Sequence, residues 1–520
     1  MQNSNRKIRL WPAIVILTLA AVTLIYIWGF GDGGHRQDQV MKSAPVFFFA
    51  FLLLLIWFLF FSRLVAGKRF RSFLIVVAVV AAFFAIFRIQ GVSGDLIPVF
   101  AWRWGGDNFQ QLVGAANGAT DTTADSENWL SPTDYPQFLG QNRDGVVSNF
   151  RLEADWKTNP PKELWRVDVG AGWSSFSVVG NSAITQEQRG ALEAVVCYDL
   201  KTGKVKWSHV DSSNYANVLA GNGPRATPTI EAGRVYTLGA TGVLNCLDFN
   251  SGRRLWSKNI LKEFDGRANT WGVSTSPFIL DSLVVVSTGS ADDKSLIALH
   301  KESGEFVWGA GRHRSGYASP FIARFHDTDQ IVMFNYEGVL GHDPATGAVL
   351  WHFEWPKGTE PIAQPLPIPG EKLFVSSGYG IGGAMLQIEK NESGGFAATR
   401  LWKTPRMKAK LSNMFYIDGY IYGLDDGVMA CIELEKGQRK WKGGRYGHGQ
   451  LLLVDKTLLI QAESGDLILV EPNPEKHAEL ARFEALNGKT WNHPTLAGNL
   501  LLVRNDQEAA CYELTGESLN

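Results

Sequence analysis

The chain contains few cysteines and histidines and carries almost no net charge. Its 520 residues include four cysteines and ten histidines, with no Cys-x-x-Cys pair, no adjacent cysteines, no Cys/His cluster and no haem-attachment pattern Cys-x-x-Cys-His. The sequence therefore predicts no metal site and no covalently bound haem. The formal net charge of −1 argues against a nucleic-acid partner, because proteins that bind nucleic acid cluster positive charge.

Glycine and aromatic residues are abundant instead. The chain has 54 glycines, 30 phenylalanines and 18 tryptophans. Because aromatic residues favour strands and glycine favours tight turns, this composition predicts many short strands joined by turns.

Three apolar runs open the chain: Leu10 to Phe30, Val46 to Phe61 (extendable to Val65), and Phe73 to Phe87. A helix that crosses a bilayer needs about 20 mostly apolar residues. The third run is the shortest, and the aromatic stretch 96–104 can extend its anchor at the interface. We predict three transmembrane helices, at residues 10–30, 45–65 and 72–88. The alternative is a buried helical hairpin in a soluble protein.

Basic residues are unevenly distributed among the short loops of this anchor. Those on one side are Arg6, Lys7 and Arg9 before the first run and Arg63, Lys68, Arg69 and Arg71 between the second and third. Because positive charge stays on the cytoplasmic side, we expect a cytoplasmic amino terminus and an extracytoplasmic chain after Arg88. Residues 105–136 are polar and without sustained periodicity, which predicts a flexible linker.

One pattern recurs through the remaining chain. It consists of an acidic or related residue, a Gly four positions later and a Trp four positions after that. Five copies share these offsets: Asp199/Gly203/Trp207, Asp248/Gly252/Trp256, His300/Gly304/Trp308, Asp343/Gly347/Trp351 and Glu433/Gly437/Trp441. Together with Trp165, Trp402 and Phe483 they give eight strand-end aromatics at spacings of about 40 to 50 residues, typical of propeller blades.

The repeat predicts an all-β fold, an eight-bladed β-propeller of four-stranded antiparallel blades over residues 137–520. Seven blades is the alternative, if the Trp402 or Phe483 unit merges with a neighbour. The carboxyl-terminal tail supplies only three strands, so we expect the early strand 164–169 to complete its blade. That pairing would remove two exposed sheet edges.

The four cysteines, Cys197, Cys246, Cys431 and Cys511, each lie two residues before the acid of a repeat. Other repeats place Ala298 or Gly341 at this position, which indicates a small, apolar slot. Equivalent positions on packed sheets are about 10 Å apart, beyond the reach of a disulfide. We therefore expect buried free thiols.

The repeat resembles the tryptophan-docking unit of pyrroloquinoline-quinone (PQQ) type propellers, which include quinoprotein dehydrogenases and BamB-type assembly lipoproteins. The segment "PQFLGQNRDG" (136–145) and the apolar runs are further similar to bacterial membrane-anchored members. The resemblance implies a bacterial inner-membrane protein with its propeller in the periplasm or outside the cell. The cofactor stays open: the resemblance makes PQQ a candidate, but the sequence holds no specific site motif for it. The resemblance implies docking roles for Trp165, Trp207, Trp256, Trp308, Trp351, Trp402 and Trp441.

Propeller ligands usually bind where the loops that lead into each innermost strand converge, and these loops we name the mouth loops. They are rich in aromatic and basic residues suited to a flat anionic ligand or a peptide. The candidate ligand-binding residues are Trp173, Arg225, Trp271, Tyr317, Lys410, Arg445, Tyr446, His448, Trp491 and Asn492. The alternative is that their polar members cap turns and their aromatic members pack between blades. Glu187 and Glu463, at nearby strand corners, are candidate bases or metal ligands.

Two functions remain open at this point. One is a membrane-tethered scaffold whose mouth or rim holds a protein, peptide or polymer. The other is a PQQ-dependent dehydrogenase that passes electrons to a membrane quinone. The compact blades and the missing adjacent cysteines favour the scaffold.

Overall fold

The protein is described by a computed structural model that covers residues 8–30, 35–104, 109–112, 129–358 and 360–519. These residues form two compact units. The first, a helical unit, contains the described residues before position 108 together with 218–220, and the second, a β unit, contains all the others.

Three helices build the first unit: α1 (Trp11–Gly29), α2 (Arg36–Ile56), which continues as a π-helix (Trp57–Phe61), and α3 (Ala66–Ile86). Each of the three segments is long and apolar enough to cross a membrane, which confirms the prediction of three such helices.

Two of these helices begin earlier than the apolar runs. The second starts at Arg36 rather than near residue 45, and the third starts at Ala66 rather than near residue 72. Lys68 and Arg69 therefore lie inside α3. Lysine and arginine are good helix formers, so the backbone stays helical beyond the part that hydropathy marks.

A short hairpin follows α3, formed by β1 (Phe87–Val92) and β2 (Pro98–Trp102). Aromatic rings of the hairpin pack against one another and against the end of α3. Phe83 of α3 lies 5.2 Å from Phe100, and Phe87 lies 5.7 Å from Trp102, both edge to face. The aromatic stretch after the third run is thus a β-hairpin.

The second unit is an eight-bladed β-propeller, as the repeat predicts. Three strands precede the blades: β3 (Val146–Val147), β4 (Phe150–Leu152) and β5 (Lys162–Asp168). Blades 1 to 4 contain β6 (Ser177–Val179), β7 (Ser182–Arg189), β8 (Leu192–Asp199) and β9 (Val205–Asp211); β10 (Thr229–Glu231), β11 (Arg234–Leu238), β12 (Val243–Asp248) and β13 (Arg254–Asn259); β14 (Phe278–Leu280), β15 (Leu283–Ser287), β16 (Leu296–His300) and β17 (Phe306–Ala310); and β18 (Phe321–Phe325), β19 (Thr328–Asn335), β20 (Gly338–His342) and β21 (Val349–Glu354). One short helix, α4 (Ile260–Glu263), follows β13.

Blades 5 to 8 repeat the same four-stranded meander. Their strands are β22 (Leu366–Ile368), β23 (Lys372–Ser377), β24 (Gly382–Lys390) and β25 (Phe396–Thr404); β26 (Met414–Ile417), β27 (Tyr420–Asp425), β28 (Val428–Glu433) and β29 (Arg439–Arg445); β30 (Gln450–Val454), β31 (Thr457–Gln461), β32 (Asp466–Glu471) and β33 (Ala478–Glu484); and β34 (Thr495–Ala497), β35 (Leu500–Arg504) and β36 (Glu508–Glu513) with β5 as the fourth. The last strand, β37 (Gly516–Ser518), pairs with β4.

The ring closes by hydrogen bonds between distant parts of the chain. The strand β5 pairs antiparallel with β36, with Trp165 opposite Cys511. The first strands of neighbouring blades contact one another, for example β6 with β10 and β34 with β6, so they surround the axis and the fourth strands lie outside. The mouth loops and the turns between second and third strands therefore share one face, the mouth; the other face we name the base.

Tryptophan docking joins the blades. Each of five outer-strand indoles covers the repeat glycine of the next blade so closely that a Cβ there would lie 2.3–2.9 Å from the ring: Trp165 on Gly203, Trp207 on Gly252, Trp256 on Gly304, Trp308 on Gly347 and Trp402 on Gly437. The Trp207 indole N–H also donates to the Phe249 carbonyl at 2.9 Å. Only glycine leaves room for this contact.

The acid of the repeat builds the turn before that glycine. A carboxylate oxygen of Asp199 accepts from the Thr202 N–H at 2.9 Å and hydroxyl at 2.8 Å. Gly203 then takes a φ of 65°, a left-handed conformation that favours glycine.

The small residue two positions before the acid of each repeat pairs with the docking tryptophan on the neighbouring strand. Cys197 pairs with Trp207, Cys246 with Trp256 and Cys431 with Trp441, each beside a register shift. All four cysteines are buried and free. At Gly341, which occupies this slot in blade 4, a Cβ would lie 2.2 Å from Trp351 Nε1, which explains why the position is small.

Blade 7 departs from the repeat. The strand position that holds tryptophan elsewhere is occupied by Ala481, opposite Leu469, while Phe483 lies two residues further along β33. The count of eight was right, but Phe483 is not the equivalent of the docking tryptophans. It instead packs edge to face against Tyr512 at 5.3 Å.

Candidate binding site at the propeller mouth

Polar groups of the mouth loops connect each blade to the next. The donor and acceptor pairs run around the ring: Ser175 N to Thr227 Oγ1, Thr227 N to Ser276 Oγ, Ser276 N to Ser319 Oγ, Ser319 N to Gln364 Oε1, Gln364 N to Asn413 Oδ1, Gln450 Nε2 to the Leu411 and Trp491 carbonyls, and Asn492 Nδ2 to the Ser174 carbonyl. This belt satisfies backbone groups that the loops would otherwise bury without partners.

Asn492 belongs to this belt. Its side chain is fully buried, and its amide donates to the carbonyls of Gly172 at 3.2 Å and Ser174 at 2.8 Å. It ties blade 8 to blade 1.

The strongest candidate for ligand contact is a pair of indoles with a lysine over them. Trp173 and Trp491 are half-buried, with ring centroids 4.9 Å apart at 46°. The Lys489 ammonium lies 4.8 Å from the first ring and 4.3 Å from the second. Burial lowers the pKa of Lys489. The pair offers aromatic surface and a partly buried cation at one place.

A second aromatic group lies in blades 3 to 6 of the same face. Trp271 stacks on Tyr317 at 5.2 Å and also approaches Tyr379 at 6.4 Å. The Lys410 ammonium lies 4.8 Å from the Tyr379 ring. Burial raises the pKa of both tyrosines, so their hydroxyls stay protonated as hydrogen-bond donors.

Arg225 extends the cationic character of the mouth. Its guanidinium lies 4.4 Å above the Tyr215 ring and donates to the Gly221 carbonyl at 2.7 Å. Burial lowers its pKa to about 10. Arg225 also lowers the pKa of Lys489 through like-charge repulsion. The two cations are therefore close enough to interact electrostatically.

Three of the candidate residues do not join these groups. The Tyr446 side chain is buried, and its hydroxyl donates to Glu479 at 2.8 Å and contacts His477 at 2.8 Å. Arg445 ends the outer strand β29 and is exposed. His448 is buried, and its backbone N–H donates to Glu463 at 3.1 Å.

The two candidate bases are held by structural contacts. Glu187 is fully buried and accepts from Arg189 at 2.7 Å, from the Tyr198 hydroxyl at 3.2 Å and from the Gly170 N–H at 2.6 Å. Glu463 accepts from the Trp491 indole at 2.8 Å. It thereby fixes the orientation of that indole.

Sequence reasoning missed Lys489, Tyr215 and Tyr379. Lys489 lies in a mouth loop, two residues before Trp491, so its position within the repeat already indicated that it belongs to the mouth. Tyr215 lies early in the long connection that leads into β10, and Tyr379 lies in the β23–β24 turn. Both are outside the short stretches directly before the innermost strands from which the candidate residues were chosen.

The base end of the channel is closed by residues 135–147, which we name the plug. Tyr135 bridges to Val178 in blade 1, and the Pro136 carbonyl accepts from Ile230 in blade 2. At the far end, β3 pairs parallel with β30 of blade 7. The two ends of the plug therefore lie against blades 1 and 2 and against blade 7, on either side of blade 8.

Arg143 anchors the middle of the plug. It is 4% exposed, donates to the Ser276 carbonyl at 3.2 Å and the Pro277 carbonyl at 3.0 Å, and lies 5.3 Å over Phe278. Between the plug and the inner strands of blades 4 to 6 lies a pocket of about 430 Å³. Of the predicted linker, residues 105–108 and 113–128 lie outside the described residues, whereas Tyr135 at its end is buried.

The chain matches the family described as outer membrane protein assembly factor BamB over residues 113–265 and 193–443. These ranges cover more than half of the sequence, so the protein belongs to this family of PQQ-like β-propellers.

Individual relatives are distant. Quinoprotein ethanol dehydrogenase of Pseudomonas putida is 25% identical over 184 residues, 30% of this chain and 29% of that enzyme, so the match spans under a third of its length. Quinohemoprotein alcohol dehydrogenase of Comamonas testosteroni superposes with a TM-score of 0.54 at 12% identity, over 75% of this chain and 82% of that one. BamB of Moraxella catarrhalis gives 0.49 at 12% identity, over 69% and 99%. These likenesses concern the fold alone.

Proposed function

We propose that this protein is a membrane-anchored binding module whose propeller mouth holds a segment of a partner protein. The anchor is the bundle of three apolar helices, with the amino terminus in the cytoplasm and the propeller in the periplasm or outside a bacterial inner membrane. The asymmetry of basic residues in the short loops supports this orientation.

The observation that carries the binding role is the Trp173–Trp491 pair with Lys489 over both rings. Half-buried indoles beside a partly buried cation suit aromatic and acidic side chains of a peptide. The plug favours a protein segment over a polymer as the partner. Because it crosses the base of the channel, a terminus or loop can enter the mouth but a polymer cannot be threaded through.

The alternative, a PQQ-dependent dehydrogenase, has less support in the donor groups of the mouth. The indole faces suit a flat cofactor. However, the two carboxylates that the sequence offered as bases or metal ligands, Glu187 and Glu463, already accept from Arg189 and from the Trp491 indole. These residues do not fit a quinone that is held through a metal ion.

A random peptide library selected on the full chain in detergent tests the binding role. We expect enriched peptides with acidic and aromatic residues that bind saturably. Lys489→Met should weaken their affinity about tenfold or more, because it removes a cation from the centre of the site. Isothermal titration with the enriched peptides measures the change.

The matched control is Lys456→Met, which removes an exposed lysine from the β30–β31 turn on the base face and should leave affinity unchanged. Equal binding by the Lys489→Met variant would refute the site. Saturable binding of PQQ with calcium, followed by dye reduction with alcohols, would favour the dehydrogenase instead.

A further inference from the structure

Three histidines gather between blades 3 and 4, and none of them belongs to the two aromatic groups of the mouth site. His342, at the end of β20, is 1% exposed, and its Nδ1 lies 2.9 Å from the Gly347 carbonyl. A carbonyl only accepts, so the proton is on Nδ1 and the lone pair is on Nε2. That Nε2 is buried and has no hydrogen-bond partner among the described residues.

His313, in the loop after β17, presents a second nitrogen of this kind. Its Nδ1 is buried and likewise has no hydrogen-bond partner within the described part of the chain. Its ring centroid lies 4.5 Å from that of His352 on β21. Buried nitrogens without partners are uncommon and call for an explanation.

Gly311 leaves a space between two of these rings. A Cβ built on it would lie 3.7 Å from His342 Cε1, 4.0 Å from His313 Nδ1 and 3.6 Å from Ser295 Cβ. All three are ordinary contact distances, so a volume of about one methyl group is open beside His313 Nδ1 and beside the Cε1 carbon that is bonded to His342 Nε2.

We propose that His313, His342 and His352 bind a divalent transition-metal ion of the zinc, nickel or copper class. Imidazole nitrogens are the preferred ligands of these ions. A ligating histidine typically donates its other N–H to a backbone carbonyl, which is the arrangement of His342 with Gly347. Because the ligands come from blades 3 and 4, the ion joins two blades.

The open side of the cluster provides the entry path. His352 is exposed and His313 half-buried, so an ion can reach the buried His342 from solvent. The three donor nitrogens are not all within 4.8 Å of one another, and the exposed His352 ring turns about its side-chain torsions to complete the ligand set. The proposal is independent of the partner bound at the mouth.

Cobalt(II) and zinc titrations of the chelator-stripped full chain in detergent test this site. We expect one ion per chain that survives dialysis, with a cobalt d–d absorption of histidine ligation. His342→Gln should lower the affinity by about 10-fold or more. Bound zinc should raise the unfolding temperature of the wild type but not that of the variant.

His300→Gln is the matched control, because His300 also has a buried Nδ1 with no hydrogen-bond partner among the described residues but lies at the end of β16. This variant should bind the ion as the wild type does. If His342→Gln fails to fold, His352→Ala replaces it, since that side chain is exposed, and should weaken binding and change the cobalt spectrum. Loss of the ion on dialysis, or equal affinity in the wild type and both cluster variants, overturns the proposal.

Discussion

At the scale of single residues, the propeller depends on glycines that lie beneath tryptophans. Gly252 has a φ of 71°, and a Cβ there would lie 2.3 Å from the Trp207 ring. The strain of the left-handed backbone and the steric contact with the indole are separate costs of a side chain at this position. A second glycine that has the strain without the contact allows the two costs to be separated.

We predict that Gly252→Ala lowers the free energy of unfolding by about 2–4 kcal/mol, from backbone strain and overpacking together. Gly370→Ala is the control, because Gly370 has a φ of 84° and, apart from its chain neighbours, no described residue has an atom within 4 Å of its Cβ position. It should cost about 1–2 kcal/mol, from strain alone. Denaturant unfolding followed by tryptophan fluorescence measures both, and equal losses would contradict a docking contribution.

At the scale of elements, the plug is the segment whose role depends most on tertiary contacts. Its short strand β3 adds to blade 7, and its other end bridges to blade 1. Between these ends Arg143 bonds to carbonyls of blade 3, and burial lowers its pKa to about 9. One side chain thus holds the centre of the element.

We predict that Arg143→Met loosens the plug without unfolding the ring. The Ser276 carbonyl loses its Arg143 donor, a change worth about 1–3 kcal/mol. Hydrogen exchange at the Tyr135 and Val178 amides, which bond the plug to blade 1, should therefore accelerate about 10-fold or more.

The control for this experiment is Arg324→Met. Arg324 lines the same pocket, but its side chain is 62% exposed and pairs with Asp327 and Asp329 at the surface. Exchange at the plug should stay as in the wild type. Unchanged exchange in both variants would show that Arg143 does not secure the plug.

At the scale of the whole molecule, His493 joins three separate parts of the chain. It lies in the mouth loop of blade 8, packs edge to face on Phe138 of the plug at 5.4 Å and accepts from Asn413 of blade 6 at 3.4 Å. Burial lowers its pKa to about 3, so the folded protein holds this ring neutral.

Acid should therefore destabilise the propeller through His493. The unfolded chain takes up a proton below about pH 6.5, but the folded ring does so only near pH 3. This contribution is complete above pH 6.5 and decreases by up to about 1.4 kcal/mol per pH unit as the pH falls. His493→Gln should flatten the dependence of the unfolding free energy on pH, measured by denaturant unfolding from about pH 7 to 4.

His326→Gln serves as the comparison, since His326 contacts Glu371 and the Ile388 carbonyl in blade 5 and not the plug. It should keep the slope of the wild type. An unchanged slope in His493→Gln would contradict the assignment of acid sensitivity to this ring.

Much of the architecture could be read from the sequence because its causes are local and repeated. The offsets from Asp199 to Gly203 to Trp207 encode a turn, a left-handed glycine and a docking indole. Five such units, together with three further strand-end aromatics at the same spacing, predict eight blades. The apolar runs predict three helices because a bilayer requires length and apolarity. Helix ends were less accurate, since Arg36 and Lys68 continue helices beyond the apolar stretches.

The candidate site was less predictable. Repeat phase placed Trp173, Trp271 and Trp491 at the mouth, but it also nominated Tyr446, whose hydroxyl is engaged between blades, and Asn492, which belongs to the belt. The position of a residue within the repeat decides which face of the propeller it occupies. It does not fix whether its side chain turns to the axis or to the next blade.

The sequence alone predicted the eight-bladed propeller and the three apolar helices, because both follow from spacing and composition within short windows. The docking roles of the tryptophans came from the resemblance of the repeat to PQQ-type propellers. Only the tertiary structure revealed the closed base, the lysine over two indoles and the three histidines between blades. These features join residues from different blades or from the segment before them, and their proximity depends on ring closure rather than on distance along the chain.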